Sequence, residues 1–435
     1  MKLLILISFL FPGLQQADSV LSEQEVIELA LANNFDIKLV KYDLETALNN
    51  NTAGNAGMLP TLDLNGNARQ SLQNTEQEFF SGDTQSREGA KTSNYSAGAS
   101  FNWTLFDGLK MFSTKHRLDQ VTYTNEQAYM ARVQNSISDV IKAFYNTALE
   151  QERLALLQSS LEVSQERVEI SKNKYEVGKA SKLEYLQAQV DFNTDQSALV
   201  KQQEVILRKK LELIQLIGVS SMDVNFELTY DFEILQKWIE TEHLESEAIS
   251  QNPLLRQLES QREENILSIQ EAQRSVLPSL DFNLGYNYSN LNAEAGFLKS
   301  NQTDGFTYGL TATMNLFDGM NQKREIQNAQ IQSQKAWTAY QQAETQLRTA
   351  VRSGILTLQN AQTLINLERS NLSVAEENVE IALERYRIGK SNPLEIREAQ
   401  NNAVNAQIRY LEALNTAKIA EIELMRLSGG LVVGE

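Results

Sequence analysis

The sequence contains no cysteine, only five prolines and only two histidines among its 435 residues. Without cysteine there are no disulfides and no N-terminal lipidated cysteine, so stability must come from packing and assembly. Metal and nucleophile sites commonly need clusters of histidine or cysteine, whereas His116 and His243 stand alone and are interpreted as helix-surface residues. No glycine-rich phosphate loop occurs. These absences argue against an enzyme, and no cofactor or metal is expected.

Long apolar runs are also missing. After the first seventeen residues, no segment approaches the ~18 consecutive apolar residues of a membrane-spanning helix. Residues 1–17 resemble a secretory signal, because Lys2 precedes the apolar run from Leu3 to Phe11 and a break at Pro12-Gly13. We place cleavage after Ala17, and a buried N-terminal strand is the alternative. The exported chain is then either soluble or held in a membrane by strands.

Positive charge is scarce relative to negative charge. The chain has 39 Lys and Arg against 56 Asp and Glu, a net charge of −17. Removing Lys2 with the signal makes it −17 − 1 = −18. A strongly acidic chain is repelled by nucleic acid, so no nucleic-acid partner is expected.

One pattern occurs twice along the chain. Leu105-Phe106-Asp107-Gly108 returns as Leu316-Phe317-Asp318-Gly319, and Lys174-Tyr175-Glu176-Val177-Gly178-Lys179 returns as Arg385-Tyr386-Arg387-Ile388-Gly389-Lys390. The two glycines of each copy lie 70 residues apart (178 − 108 and 389 − 319), with no proline between them. A helix filling that interval would be roughly 105 Å long, about three times the hydrocarbon thickness of a bilayer.

Shorter helices are predicted around the long ones. The first runs from Ser22 to about Asn55 with a Ser22–Glu25 capping box, and its counterpart from about Glu245 to Val276 is broken at Asn252-Pro253. Two returning helices follow the tip glycines, from about Ser181 to Ile217 and from Asn392 to Leu427. Their ~37 residues and the ~33 of the helices before the strands together match one long helix, so we expect hairpins two helices wide. Asp107 and Asp318 are placed to cap the long helices.

Four segments alternate between apolar and polar residues, as strands do. Their apolar positions are Leu62, Leu64, Gly66 and Ala68; Ala97, Ala99, Phe101, Trp103 and Leu105; Leu280, Phe282, Leu284, Tyr286 and Tyr288; and Phe306, Tyr308, Leu310, Ala312, Met314 and Leu316. Each is ~9–11 residues long, the length of a tilted membrane strand. Polar loops are predicted between them at 72–94 and 290–304.

An apolar face on each strand needs either a core or lipid to cover it. Four strands cannot close a barrel, which takes about eight or more, and open edges are not viable in a membrane. Several copies must therefore share strands, and a trimer would supply twelve. A soluble four-stranded sheet packed on the helices is the alternative, although Tyr286, Tyr288, Phe306 and Tyr308 cluster as an interfacial aromatic belt would.

The duplicated order of these motifs resembles the TolC-type outer-membrane efflux proteins. The Leu-Pro entries at Leu59-Pro60 and Leu277-Pro278, the Leu-Phe-Asp-Gly exits and the Tyr-x-x-Gly turns followed by Leu-acid carry the resemblance over nearly the whole mature chain. It implies a homotrimer in the bacterial outer membrane, contacting outer-membrane lipid, with a twelve-stranded barrel continued by a periplasmic α-helical tunnel. It also implies docking to a periplasmic adaptor (membrane fusion) protein and, through it, to an inner-membrane transporter of the RND or ABC type.

The resemblance also suggests which residues act at the tunnel tip. The constriction acids of the family fall six and nine residues after the tip glycine, which here are Glu395 and Glu398 in the second copy and Glu184 in the first. Their carboxylates would ring a narrow pore and favour cations. Local helix capping is the alternative for Glu184 and Glu395. The residues expected to dock the adaptor are Tyr175, Gly178, Lys179, Tyr386, Gly389 and Lys390, and both tyrosines have an alternative as heptad core residues.

The sequence therefore predicts a mainly α protein with membrane β: helical hairpins forming an α-barrel tunnel, a shared barrel, and two internal repeats. The domains are a signal peptide (1–17), a first repeat (18–218), an equatorial connector (219–243), a second repeat (244–429) and a C-terminal tail (430–435). The function expected is an exit duct of a tripartite efflux pump or a type I secretion system, gated at its periplasmic tip. An exported coiled-coil scaffold or an adaptor protein without a pore is the alternative.

Overall fold

The computed structural model describes residues 19–219, 221, 223–234 and 241–431, so the predicted signal peptide lies outside the described residues. The chain forms two compact units. One comprises the residues up to Lys41, from Ala128 to Leu254 and from Ala343 onward, and the other comprises Tyr42–Gln127 and Leu255–Gln342. Within the described ranges, no helix combines the length and apolar character needed to cross a membrane.

Helices dominate the described chain, as predicted. The elements in order are β1 (Ser19–Ser22), α1 (Glu23–Asn33), α2 (Phe35–Asn50), β2 (Thr61–Glu78), β3 (Thr84–Phe106), α3 (Lys110–Glu176), α4 (Lys182–Ile217), β4 (Phe226–Thr229), α5 (Thr241–Gln251), α6 (Pro253–Arg274), β5 (Ser279–Ala293), β6 (Ser300–Thr313), α7 (Asn321–Arg387) and α8 (Pro393–Ser428). Both α3 and α7 contain 67 residues, and both α4 and α8 contain 36. The predicted long helices and their shorter returning partners are confirmed.

The second unit contains a four-stranded antiparallel sheet in the order β2-β3-β5-β6. The β3–β5 pairing joins two hairpins, and the register sets Ala97 opposite Tyr288 and Phe101 opposite Leu284. Apolar residues therefore share one face of the sheet, because alternate side chains of a strand point to opposite faces. Tyr286 and Phe306 contact each other on that face, with ring centroids 4.9 Å apart.

The strands are longer than the sequence pattern predicted. They contain 18, 23, 15 and 14 residues, so the prediction of ~9–11 residues per strand was wrong, as was that of polar loops over 72–94 and 290–304. Leu72 pairs with Lys91 and Glu78 with Thr84, which leaves only residues 79–83 as the first turn. The ladder continues because backbone hydrogen bonds need no apolar side chains, and apolar alternation marks only part of each strand.

Two Asp-Gly turns lead from the strands into the long helices. Gly108 has φ 72° and Leu109 has φ 66°, and Gly319 and Met320 repeat these values at 71° and 69°. The Asp107 carboxylate accepts a 2.8 Å hydrogen bond from the Met111 amide, and the Asp318 carboxylate accepts one of 2.8 Å from the Gln322 amide. The predicted capping role of both aspartates is confirmed. The left-handed residue after each glycine was not predicted.

The core of the first unit surrounds a small sheet that the sequence did not reveal. Strand β1 pairs in parallel with β4, which lies inside the predicted connector at 219–243. Phe144, Leu213 and Ile217 are fully buried there, and Phe226 of β4 packs with them. The predicted capping box is present, because the Ser22 side chain and the Glu25 side chain each accept from the other residue's backbone amide. The single first helix was wrong, because it breaks at Asn34.

At both helix breaks, an asparagine side chain accepts a hydrogen bond from the next helix and donates one to the carbonyl of a returning helix. The Asn34 side chain caps the next helix at Ile37 and donates to the Leu216 carbonyl over 2.7 Å. The Asn252 side chain accepts from the Leu254 amide and donates to the Leu427 carbonyl over 3.1 Å. Gly218, with φ 82°, lies so close to the first break that a Cβ would come within 2.7 Å of the Asn33 carbonyl oxygen. The predicted break at Asn252-Pro253 is confirmed.

Candidate functional site

The helical hairpins α3–α4 and α7–α8 each reverse at a glycine, and both turns lie in the first unit. Gly178 has φ 74° and Gly389 has φ 77°, a conformation that favours glycine because it has no Cβ. The Lys179 amide donates to the Lys174 carbonyl over 2.7 Å, and the Lys390 amide donates to the Arg385 carbonyl over 2.8 Å. Each turn is therefore a Schellman motif that satisfies the last carbonyls of its long helix.

The returning helices begin with side-chain caps. The Ser181 hydroxyl accepts from the Glu184 amide over 3.3 Å, and the Asn392 side chain accepts from the Glu395 amide over 2.9 Å. Pro393 occupies the first helical position, where its missing N–H costs nothing. The predicted caps are thus present, and they fix the position of both acidic residues at the start of their helices.

Glu395 is held by its own hairpin. Its carboxylate forms a 2.9 Å ion pair with the Arg385 guanidinium, and its other oxygen accepts from the Ser391 hydroxyl over 2.6 Å. The side chain is 40% exposed. The structure shows that Arg385 and Ser391 hold the carboxylate across the turn, so its charge is largely compensated.

Glu398 is exposed on α8 and, among the described residues, has no hydrogen-bond or ion-pair partner. It lies one helical turn after Glu395, so the two side chains share a face of the helix. Glu184 is half-buried on the other hairpin. Of the three predicted acids, only Glu395 is held by an ion pair; the carboxylates of Glu184 and Glu398 have none among the described residues.

Lys174 joins the two hairpins at the tip. Its ammonium group lies 3.9 Å from the centre of the Tyr386 ring and donates to the Tyr386 carbonyl. The cation thus contacts the ring face and also caps the end of α7. Tyr386 is 2% exposed and packs with Ala382, Ile396 and Ala399. The core alternative for Tyr386 is consistent with this burial.

Burial and neighbouring charges shift the pKa values of Lys174 and Tyr386. Desolvation lowers the pKa of Lys174, and the Glu184 carboxylate opposes that shift. Desolvation also raises the pKa of Tyr386, with a further rise from the Glu184 charge and a smaller lowering from Arg167. Glu184 therefore lies close enough to act on both partners of the inter-hairpin contact.

The other predicted tip residues face outward. Tyr175 is 40% exposed and stacks on Tyr185 with ring centroids 6.3 Å apart. Lys179 and Lys390 are exposed on the two turns. The turns also present four exposed apolar side chains, which are Val177, Leu183, Ile388 and Leu394. The tip surface is therefore apolar with basic residues beside it.

A buried polar network connects the hairpins further along the helices. Arg167 of α3 is 2% exposed, donates to the Asp191 carboxylate over 2.8 Å and donates to the Gln400 side chain over 3.3 Å. The Gln400 amide in turn donates to the Ser160 carbonyl over 2.8 Å and to the Ser160 and Ser164 hydroxyls over 2.9 Å each. Gln400 of the α7–α8 hairpin thus provides hydrogen-bond partners for Arg167, Ser160 and Ser164 of the α3–α4 hairpin.

Arg397 makes the other half of this network. Its guanidinium donates two parallel hydrogen bonds to the Asp195 carboxylate, at 2.7 and 2.9 Å, and Asp195 also accepts from Ser164. We call Ser160, Ser164, Arg167, Asp191, Asp195, Arg397 and Gln400 the inter-hairpin network. Its two arginines balance its two aspartates, as burial of charge requires.

Sequence reasoning missed this network. The only signal available was Ala399-Gln400, which matches Ala188-Gln189 in the earlier copy, and helix-surface arginines gave no indication of their partners. The described residues contain no group of His, Cys, Asp or Glu able to hold a metal ion. The arrangement can hold the hairpins together and present charge, and it offers no catalytic constellation.

Comparison with known proteins identifies this architecture. The family model described as outer membrane efflux protein matches residues 26–219 and 244–430. The probable efflux pump outer membrane protein TtgC of Pseudomonas putida is 21% identical over 412 residues, which cover 94% of this chain and 82% of TtgC.

Solved structures show the same fold. The CmeC outer membrane channel of Campylobacter jejuni superposes with a TM-score of 0.79 at 19% identity, covering 94% of this chain and 85% of CmeC. The MtrE outer membrane channel of Neisseria gonorrhoeae, in its open state, gives a TM-score of 0.75 at 18% identity, covering 94% and 89%. These likenesses span almost the whole of both chains.

Proposed function

The chain belongs to the outer membrane efflux protein family, and on that premise we propose that it is the outer-membrane duct of a tripartite efflux pump, assembled as a homotrimer. As a member of this family it is an efflux channel of the outer membrane that extends into the periplasm, and not an enzyme. The alternative of a scaffold or adaptor without a pore is not favoured by the family match.

The open sheet is the observation that carries the trimer. Strands β2 and β6 each pair on one side only, since they stand at the two ends of the order β2-β3-β5-β6. Their apolar residues are among the most exposed of the chain, with Leu64 at 85% and Tyr308 at 77%. Pairing β6 of one copy with β2 of the next covers both edges. Three copies would close a barrel of twelve strands.

The helices support the same assembly. In the second half of α7, five apolar side chains are 46% to 65% exposed, namely Leu356, Leu364, Leu367, Val374 and Ile381. The last three follow at intervals of seven residues, which is typical of a helix that packs against a partner helix. Helix α4 carries a comparable set, Val190, Val200, Leu207 and Leu211. We infer that these stripes meet between copies and form the walls of the tunnel.

We propose that the acids of the tip form the constriction. Glu398 contributes a free carboxylate, and symmetry copies of it would place like charges around a narrow pore that favours cations. Glu184 and Glu395 belong to the same level of the hairpins. The ion pair between Arg385 and Glu395 supports a smaller part for Glu395 in selectivity than for Glu398.

The hairpin turns are the proposed docking site for a periplasmic adaptor protein. Tyr175, Gly178, Lys179, Gly389 and Lys390 are exposed there, and the exposed apolar residues of both turns support a protein partner. Tyr386, which is buried, would act by holding the two turns together. Through the adaptor the duct would serve an inner-membrane transporter of the RND or ABC type, for small molecules or, in a type I secretion system, for proteins.

The same proposal covers the organisation of the chain. Two internal repeats, 18–218 and 244–429, would follow a cleaved signal peptide at 1–17 and be linked by the equatorial connector at 219–243, with a tail at 430–435. The equal lengths of α3 and α7, and of α4 and α8, support the repeats.

Cysteine cross-linking tests the shared barrel, because the chain has no cysteine of its own. Within one copy β2 and β6 are separated by two strands, so their backbones lie roughly 14 Å apart at ~4.8 Å per strand. A disulfide spans at most ~7 Å between Cα atoms. Asp63→Cys combined in turn with Thr307→Cys, Gly309→Cys and Thr311→Cys should therefore cross-link only between copies.

We expect oxidised outer membranes to give a ladder of one, two and three chains in at least one register, with no larger species. The single-cysteine variants serve as controls and should give no ladder. Bands beyond three chains, or no cross-link in any register, would contradict the closed trimer.

A further inference from the structure

Residues at the outer ends of β5 and β6, together with Lys91 and Ser93 in the middle of β3, line a pocket of about 610 Å³. It is lined mainly by polar and charged residues, which are Lys91, Ser93, Asn292, Glu294, Lys299 and Ser300. The β3 and β5 chains are tied together here, since the Glu294 amide donates to the Lys91 carbonyl over 3.0 Å. The pocket is thus part of the folded sheet.

The charge of the pocket is positive. Among the described residues, the ammonium groups of Lys91 and Lys299 have no hydrogen-bond or ion-pair partner. The one acid, Glu294, accepts from the Lys91 backbone amide over 3.2 Å and lies 3.7 Å from the Arg87 guanidinium. Two cations without an ion-pair partner among the described residues therefore line one pocket, in a chain whose net charge is −17.

The position of the pocket on the sheet indicates what it faces. Lys91, Ser93 and Tyr95 alternate along β3 and so share a face. That face carries the apolar residues of the sheet, and Ser93 pairs with Asn292 across it. The next loop adds Phe297 and Leu298, which are 91% and 55% exposed. Cationic groups thus stand at the edge of the lipid-facing surface, beyond the aromatic residues.

We propose that this pocket binds a phosphoryl group of a glycolipid in the outer leaflet of the outer membrane. The inference rests on the placement of the sheet in that membrane and not on the gate or the adaptor. Lys91 and Lys299 pair with the phosphoryl oxygens, Ser93, Asn292 and Ser300 offer hydrogen bonds, and Phe297 and Leu298 contact the acyl chains.

The overall acidity of the chain favours a membrane-borne anion over a dissolved one. A negatively charged protein repels free anions. A lipid phosphate diffuses in the plane of the membrane and reaches the pocket at a high effective concentration. A ligand that carries hydrocarbon would also cover the exposed apolar side chains of Phe297 and Leu298 beside the pocket.

Binding is tested on the full-length protein purified in detergent and titrated with diphosphoryl lipid A, with thermal stabilisation and native mass spectrometry as readouts. The probes for comparison are lipid A from which the phosphates have been removed and inorganic phosphate. The variant is Lys91→Gln with Lys299→Gln. Lys91→Arg with Lys299→Arg keeps the charge, and Lys201→Gln with Lys335→Gln removes two exposed lysines elsewhere.

We expect the glutamine variant to bind diphosphoryl lipid A about tenfold more weakly, and the arginine and control variants to bind it like the wild type. Phosphate-free lipid A should bind the wild type as weakly as diphosphoryl lipid A binds the glutamine variant. Equal binding of both lipids, unchanged binding by the glutamine variant, or competition by millimolar inorganic phosphate would overturn the proposal. If the glutamine variant fails to assemble, the comparison of the two lipids on the wild type decides. The glutamine variant should transport efflux substrates like the wild type. A negative lipid-binding result would therefore contradict the lipid site without contradicting the proposed efflux function.

Discussion

Glu395 and Glu398 lie one turn apart on α8, but their surroundings differ. The Glu395 carboxylate pairs with Arg385 at 2.9 Å and accepts from Ser391, whereas Glu398 is exposed and unpartnered among the described residues. A compensated carboxylate contributes little field to a pore, because its arginine cancels most of the charge at a distance. If the tip acids form the constriction, as we propose, the two residues should therefore contribute unequally to its ion selectivity.

Replacement of Glu398 should change ion selectivity more than replacement of Glu395. We expect Glu398→Gln to lower the cation-to-anion permeability ratio several-fold in planar bilayers, since each copy loses a free charge at the constriction. Glu395→Gln also frees Arg385, and its main effect should be easier opening of the tip. The control is Glu263→Gln on α6, outside the two tip hairpins. It removes one negative charge and should leave the permeability ratio unchanged. Equal effects of all three substitutions would contradict a constriction at Glu398.

Lys174 should hold the two tips together, because it contacts both the ring and the carbonyl of Tyr386. A cation over an aromatic face contributes about 1 kcal/mol. Lys174→Met keeps most of the stem and loses the charge, so we expect faster amide hydrogen exchange at residues 385–390, measured by mass spectrometry. Lys179→Met, on the exposed side of the same turn, should leave that exchange unchanged. No acceleration in Lys174→Met would show that the contact does not restrain the tip.

At the scale of the helices, the inter-hairpin network is a buried polar link between the hairpins. Arg167 is almost fully buried beside Asp191. Removing one partner of a buried pair leaves an uncompensated charge, at a cost of about 3 kcal/mol. We expect Arg167→Met to lower the free energy of unfolding by that amount in denaturant titrations, and Arg167→Met with Asp191→Leu to recover most of it.

The exposed pair Arg208–Glu204 on α4 is a control for this prediction. Its side chains are 68% and 73% exposed at 3.5 Å, and such pairs contribute less than about 1 kcal/mol. Arg208→Met should therefore have little effect. If Arg167→Met with Asp191→Leu lowers the free energy of unfolding as much as Arg167→Met alone, the inter-hairpin network contributes more than charge balance.

Helix junctions are the second place where one element constrains another. Gly218 combines φ 82° with an approach that would put a Cβ 2.7 Å from the Asn33 carbonyl oxygen, whereas Gly178, with φ 74°, has open space around it. We expect Gly218→Ala to lower the free energy of unfolding by about 3 kcal/mol and Gly178→Ala by about 1 kcal/mol. Similar losses in the two variants would mean that the junction shifts to make room.

The same elements show how far the sequence predicts structure. Helix ends were predictable because capping is local: Ser22, Asp107 and Asp318 each bind an amide within four residues. The β1–β4 sheet was not, because its pairing joins residues about two hundred positions apart and leaves no period in the connector. Strand ends were missed because a polar ladder, such as Glu78 with Thr84, has no apolar alternation to mark it.

The candidate site shows the same division. The repeated spacing predicted both tip glycines and placed Glu184 and Glu395 at the start of capped helices, whereas the constriction role of the two acids came from the family resemblance. The partners of those residues could not be predicted. Lys174 with Tyr386, and Arg397 with Asp195, are contacts between hairpins distant in sequence, so no local pattern distinguishes these side chains from solvated ones.

At the scale of the assembly, the exposed stripe of α7 is the feature that a single chain leaves unexplained. Leu367 and Val374 are 54% and 65% exposed, and burying the remaining exposed surface of each against a neighbouring copy would stabilise the trimer by about 1–2 kcal/mol. Glutamates at both positions would instead bury charge. We expect Leu367→Glu with Val374→Glu to abolish the trimer in detergent, measured by mass photometry.

The matched control changes the preceding residues, Asn366→Glu with Ser373→Glu. Both positions are exposed, carry the same added charge and point about 100° away around the helix. They should leave the trimer intact, because they lie outside the stripe. Loss of the trimer in both variants would indicate general repulsion between acidic chains, and its survival in both would exclude α7 from the interface and require the sheet edges alone to hold the copies together.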